Sequence, residues 1–138
     1  MARNVPSHCR VTQLLEFPHG LPAFETQKRF KLIDREPLLF LESETTPELS
    51  FLLLPVALID PGYQLALSVE DREAIGASSN SGLLCLAVIT TAEDSPPTAN
   101  LLAPVVVNLA CGRAVQAVRS DSVYSHKHPL LADEASCS

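Results

Sequence analysis

Apolar residues in this chain fall in short runs and alternations separated by proline, glycine and small polar residues; almost nowhere do they recur at the spacing of a long helix. Residues 9–17, with Val11, Leu14 and Leu15, predict a first strand. The segment 28–34 (KRFKLID) puts Phe30 and Leu32 on one face and charges on the other, the alternation of a half-exposed strand. Residues 38–43 (LLFLES) and 49–54 (LSFLLL) predict two more, the second buried and stopped by Pro55. Residues 83–91 (LLCLAVITT) form the strongest strand signal. Strands are also predicted at 105–109 and at 114–119 (AVQAVR), joined through Cys111-Gly112-Arg113. Turn chemistry stands between them at Glu36-Pro37, Thr45-Thr46-Pro47, Asp60-Pro61-Gly62 and residues 77–82. Residues 92–98, with Pro96-Pro97, read as a rigid connection.

Only 68–75 reads as a helix. Ser68 is placed to cap it, Asp71 completes a variant capping box, and Gly76 fits the C-terminal stop. Residues 56–67 read as irregular. Short strands at close spacing, without β-α-β alternation, predict an all-β, mainly antiparallel sandwich or small barrel with one short helix. A single domain is expected over 1–138, with its core at about 9–130 and flexible termini at 1–8 and 131–138.

Charge narrows the partner classes. Lys+Arg number 10 against 16 Asp+Glu, a net charge of −6. An acidic chain gains nothing from phosphate counterion release and is repelled by anionic membrane surfaces, so neither nucleic acid nor membrane is expected as a direct partner. Between Glu36 and Glu73 lie Glu36, Glu42, Glu44, Glu48, Asp60, Glu70, Asp71 and Glu73, with Arg72 the only base. Lys28, Arg29, Lys31 and Arg35 precede them. If the acids share one face, a basic protein could be steered to it. No secretory signal is evident, and the longest apolar run, 83–89, is far short of the ~20 residues that span a bilayer. A cytoplasmic location and reduced cysteines are therefore expected. Cys85 and Cys111 are expected to be buried, and Cys137 to lie in the tail.

Catalytic chemistry is sparse. No GxSxG, GxGxxG or GxxxxGK[ST] pattern occurs. His126-x-His128 lacks nearby ligands for a zinc site; His8 and His19 stand alone. Ser78-Ser79-Asn80-Ser81 and Glu93-Asp94 read as turn and exposed loop. No enzyme activity, metal or cofactor is expected. Phe40 and Phe51 read as core. The most unusual stretch is Phe17-Pro18-His19-Gly20-Leu21-Pro22-Ala23-Phe24-Glu25, a stiff loop whose Phe17, Leu21 and Phe24 call for burial. A second constellation, 98–108 (TANLLAPVVVN), has Asn100 and Asn108 at its ends, where Asn caps turns.

With 124–130 (YSHKHPL), these two blocks make the chain resemble the FliW family of flagellar assembly factors from about Val11 to Leu130. The resemblance implies a cofactor-free, β-barrel-like, cytoplasmic domain, and nothing in the sequence demands more than a monomer. Its implied partners are the RNA-binding translational repressor CsrA and flagellin: free FliW relieves repression of flagellin mRNA, and flagellin sequesters it. The alternative is a flagellin chaperone without a role in translation. Partner binding is expected at His19, Gly20, Leu21, Glu42, Glu44, Glu48 and Asn100. Phe17, Pro18, Pro22, Phe24, Pro104, Asn108, Tyr124 and Pro129 are expected to shape the motifs.

Overall fold

A computed structural model describes residues 10–130 apart from 22, 23, 36 and 122, and only the backbone of 10–12. The elements are β1 (Arg10–Glu16), β2 (Arg29–Arg35), β3 (Leu38–Ser43), β4 (Ser50–Pro55), α1 (Val56–Ile59), α2 (Val69–Ile75), β5 (Leu83–Ala92), β6 (Ser95–Asn108), β7 (Arg113–Gln116) and β8 (His128–Pro129). Strands β1 to β7 follow one another as an antiparallel meander, and β7 returns to β1 to close a barrel. Because the number of strands is odd, the closing pair must run parallel. It is a single pairing, Glu16 with Arg113, beside a 2.8 Å bond from the Glu16 amide to the Gly112 carbonyl.

Period-2 alternation decides what fills the barrel. Leu15, Phe30, Leu32, Leu41, Leu53, Leu86, Val105, Val107 and Ala114 point inward and form the main core, with Phe17 and Leu21 from the first loop. The outer face is apolar only where something covers it. Over β4, β5 and β6, the side chains of Ala87, Ile89, Ala99 and Leu101 lie under Val56, Ile59, Tyr63, Tyr124 and Leu130. Ile75 of α2 packs on Val106, Val115 and Ala117. This explains why β5 and the second half of β6 read as continuous apolar runs while β2 alternates.

Helix α2 forms as its sequence predicts: the Ser68 Oγ accepts from the Asp71 amide at 3.0 Å, and Gly76 ends the helix at φ 66°. Several expectations are corrected. There are two short helices, since 56–59 make one turn after Pro55, whose φ of −57° suits helix entry. Residues 95–97 belong to β6; the Ala92–Ser95 pairing leaves only Glu93-Asp94 as a tight turn. The two prolines are tolerated because they sit at the start of the strand. Residues 98–108 are one long strand, not a loop leading into one. Cys111 is exposed in the β6–β7 turn, while Cys85 is half-buried. Phe40 sits on the outer face under the Arg35 guanidinium, 5.3 Å from its ring centroid, whereas Phe51 packs on the main core. Cys9, Cys137 and His8 lie outside the described residues.

Candidate functional site

The first loop plugs one end of the barrel. Phe17 is fully buried, edge-on to Phe30 with centroids 5.2 Å apart. Backbone bonds from Gly20 to Phe17 (2.8 Å), Phe24 to Leu21 (2.7 Å) and Gln27 to Phe24 (2.9 Å) fold the segment into successive turns. Gly20 has a φ of 66°, and a Cβ there would lie 2.5 Å from the Glu25 carbonyl oxygen. Only glycine fits, so this residue sets how tightly the loop doubles back. Leu21 then drops into the barrel, where it lines a small cavity of about 70 Å³ with Leu41, Phe51, Val88, Val105 and Gln116.

Of the three loop residues expected to meet partners, only His19 is exposed; Gly20 and Leu21 are buried. Phe24 departs in the other direction. It is 39 % exposed and touches the protein edge-on at Phe51, with centroids 6.1 Å apart. Pro18 is half-buried, and its carbonyl accepts from Lys28 Nζ at 3.0 Å. Pro22 lies outside the described residues.

The β3–β4 turn stands beside this loop. Buried Ser43 donates to Gln27 Oε1 at 2.6 Å, and Thr45 Oγ1 donates to the same oxygen at 3.1 Å. Gln27 thus ties loop to turn. The arrangement brings Glu44 and Glu48, both exposed, to the same end as His19. Glu44 lies 3.8 Å from Arg29, an exposed pair worth little energetically. Glu42 sits half-buried on the outer face of β3, across from Lys31. The acids do not share one face: Glu42, Glu44 and Glu48 lie near the plug, whereas Asp60, Glu70, Asp71 and Glu73 lie around α1 and α2.

The other two motif blocks meet at a corner of β6. Leu86 pairs with Val105 and Val88 with Asn100, so residues 101–104 fall opposite Ala87 alone. This wide bulge bends the strand from one neighbour to another. Asn100 Oδ1 holds it by accepting from the Leu102 and Ala103 amides at 3.1 and 3.0 Å. Asn100 is therefore engaged in shaping the backbone, while its side chain stays half-buried at the surface of the bulge. Pro104 is buried in the bulge, and its carbonyl accepts from Ala117 at 2.8 Å. Asn108 ties the far end of β6 to α2, donating to the Ile75 carbonyl at 2.8 Å.

The segment 124–130 returns against this corner. His128 and Pro129 pair with Ala99 and Thr98, and the Leu101 amide donates to the Ser125 carbonyl at 2.9 Å. Tyr124 stacks on Tyr63 with centroids 4.3 Å apart, and the Tyr63 hydroxyl donates to the Leu101 carbonyl at 2.7 Å. Arg119 lies over both rings, 5.7 Å from Tyr63 and 4.9 Å from Tyr124, and pairs with Asp121 through two 2.9 Å bonds. It also donates to the Gln64 carbonyl. The hydrogen bond from Arg119 holds the Asp121 carboxyl below its usual range, and burial raises the Tyr63 phenol. Sequence reasoning missed Tyr63 and Arg119 as a unit because nothing in their local context joins them. Pro129 leaves the outer edge of β8 without a donor, which blunts it.

Among the described residues, no cluster of three His, Cys, Asp or Glu is placed to hold a metal, and no helix is long and apolar enough to cross a membrane. His126 is exposed and lies outside any strand; only His128 is in β8.

Comparison with known proteins places this architecture. The family model described as FliW protein matches residues 3–130. The chain is 31 % identical to the flagellar assembly factor FliW of Syntrophomonas wolfei over 122 residues, covering 86 % of this chain and 78 % of that one. It is 33 % identical to that of Heliobacterium modesticaldum over 127 residues (89 % and 83 %) and 30 % identical to that of Bacillus subtilis over 122 (86 % and 85 %). A crystal structure of the flagellar assembly factor FliW superposes with a TM-score of 0.80 at 28 % identity, covering 86 % of this chain and 85 % of that one. A profile match over nearly the whole chain, relatives of similar length and a shared barrel together show that the chain belongs to the FliW family of flagellar assembly factors.

Proposed function

We propose that this chain is a cytoplasmic, non-enzymatic regulator of flagellum assembly that binds the translational repressor CsrA and is in turn sequestered by flagellin. The observation that carries the binding part is the plugged end of the barrel, where a rigid loop and the β3–β4 turn hold His19, Glu44 and Glu48 exposed on a fixed frame. Two carboxylates on an acidic chain favour a basic partner and speed its approach. An RNA-binding protein carries Lys and Arg where it contacts phosphates. Family membership supplies the flagellar context. Release of RNA follows from linkage: this chain lowers RNA affinity to the extent that it binds the RNA-free repressor more tightly than the RNA-bound one.

A competition titration tests the proposal. Labelled flagellin leader RNA is bound to the cognate CsrA, and this protein is added with and without flagellin. RNA release that flagellin reverses is the expected result. Flagellin binding without any RNA release would reduce the role to that of a flagellin chaperone.

A further inference from the structure

The two ends of the barrel are not alike. One is filled by the first loop. At the other, between the β2–β3 turn and α1, an open hollow of about 640 Å³ is lined by Asp34, Pro37, Leu39, Pro55, Leu58 and Leu84. Asp34, Leu39, Pro55 and Leu84 continue the inward-facing rows of Leu32, Leu41, Leu53 and Leu86, so the hollow is the mouth of the barrel itself. Leu39 and Leu84 pack on the main core and form its floor. Leu58 stands on the lip, 63 % exposed.

Two features say what fits there. Among the described residues, the only charged one lining the mouth is Asp34, half-buried on an inward position, and its carboxylate makes no ion pair or hydrogen bond with another of them. A second hollow sharing Pro55 and Leu84 lies under α1, and among the described residues its only charged lining residue is again acidic, Asp60. By contrast, the shallow hollow on the outer face of β2 and β3 is lined by both Arg35 and Glu42. A carboxylate facing an apolar mouth costs desolvation whenever the mouth is covered, unless the covering group brings a cation. The mouth is also broad and open, which suits side chains presented on a protein better than a small ligand needing enclosure.

The geometry points to a second docking site, at the unplugged end: it takes a protein segment presenting large aliphatic or aromatic side chains next to a lysine or arginine. The apolar residues rest on Leu39, Leu84 and Leu58, and the cation meets Asp34. The site lies at the opposite end from His19, Glu44 and Glu48, so it stands or falls separately from the role proposed for those residues.

Two short synthetic peptides test it on the full chain. They share the same leucine and phenylalanine residues; one flanks them with lysines, the other with glutamates. Binding is read from leucine methyl NMR shifts. The lysine peptide should shift the methyls of Leu39, Leu58 and Leu84 and bind at least about tenfold more tightly than the glutamate peptide. Leu58→Ser and Asp34→Asn should each weaken it, while Val118→Ser, at a site 60 % exposed elsewhere, should not. Shifts that miss these methyls, equal binding of the two peptides, or equal loss in Val118→Ser would overturn the assignment.

Discussion

Tyr63 and Tyr124, far apart in sequence, stack at 4.3 Å, and the Arg119 guanidinium covers both rings. The Arg119 side chain is only 8 % accessible and spends its donors on Asp121 and the Gln64 carbonyl. This stack fastens the returning segment to the corner of β6. Tyr124→Ala should remove the stack and the bond its hydroxyl accepts from the Gln64 amide, at a cost of about 2–4 kcal/mol. Hydrogen exchange should then quicken at Leu101 and Leu130, whose amides bond across that junction, while β2 and β3 keep their protection. Uniform loss of protection would show that the stack supports the whole barrel instead.

The plug predicts two unequal phenylalanine substitutions. Phe17→Ala empties a fully buried site and should cost about 3–5 kcal/mol. Phe24→Ala removes a half-exposed ring with one edge-on aromatic partner and should cost only about 1 kcal/mol. Denaturant midpoints of the two variants check this; equal losses would mean that Phe24 is as much a part of the core as Phe17.

Gly20→Ala should be worse than its size suggests. A positive φ and a Cβ placed 2.5 Å from the Glu25 carbonyl oxygen leave the loop no room. A loss of about 3 kcal/mol or more is expected in thermal unfolding. The comparison is Gly82→Ala, which carries a similar φ of 78° but meets nothing within 4 Å, and should cost about 1 kcal/mol.

Burial pushes the Cys85 thiol up to about 11. An unfolded cysteine loses its proton near its ordinary value of about 8.5. Above that pH the unfolded state holds fewer protons than the folded one, so stability should fall as pH rises from there towards 11, levelling once Cys85 itself ionises. The loss is at most about 3 kcal/mol, and Cys85→Ala should flatten the alkaline limb of the pH–stability curve. At neutral pH, exposed Cys111 should react with a thiol reagent well before Cys85 does, as peptide mass mapping would show.

Charge reversal addresses the proposed regulatory face. Glu44→Lys with Glu48→Lys should leave the melting temperature nearly unchanged, since both residues are exposed and the Arg29 pair is weak. CsrA association should slow most at low ionic strength, with the difference shrinking as salt is added. An association rate equal to the unmodified protein's at low salt would remove the steering role.

The strands were legible where one face is buried, because alternation at 28–34 and apolar runs at 38–43 and 83–91 report burial directly. Helix α2 was legible from its cap and stop, and the loop at 17–25 from its prolines and Gly20. What local pattern could not show was contact between distant segments. Phe24 reads like Phe17, yet only Phe17 lies under the barrel wall. Pro96 and Pro97 read as a connection because a proline signals a break, whereas the start of a strand tolerates one. Asn100 looks like a surface amide; its task becomes visible only beside the bulge it holds. Asp34 falls on the Phe30 and Leu32 side of the alternation, and only the closed barrel shows that this side opens there into a mouth.

The single-pair closure of the barrel has a mechanical consequence. Every other neighbour in the wall is laced along several residues, but the last strand meets the first at one pairing, with Gln13 reaching the Leu109 carbonyl at 3.2 Å beside it. The wall is thus a rolled sheet held by a clasp. Force or heat applied to it should unroll it from that clasp, with β1 and β2 peeling away as a hairpin while the layers fastened over β4 to β7 hold their curve.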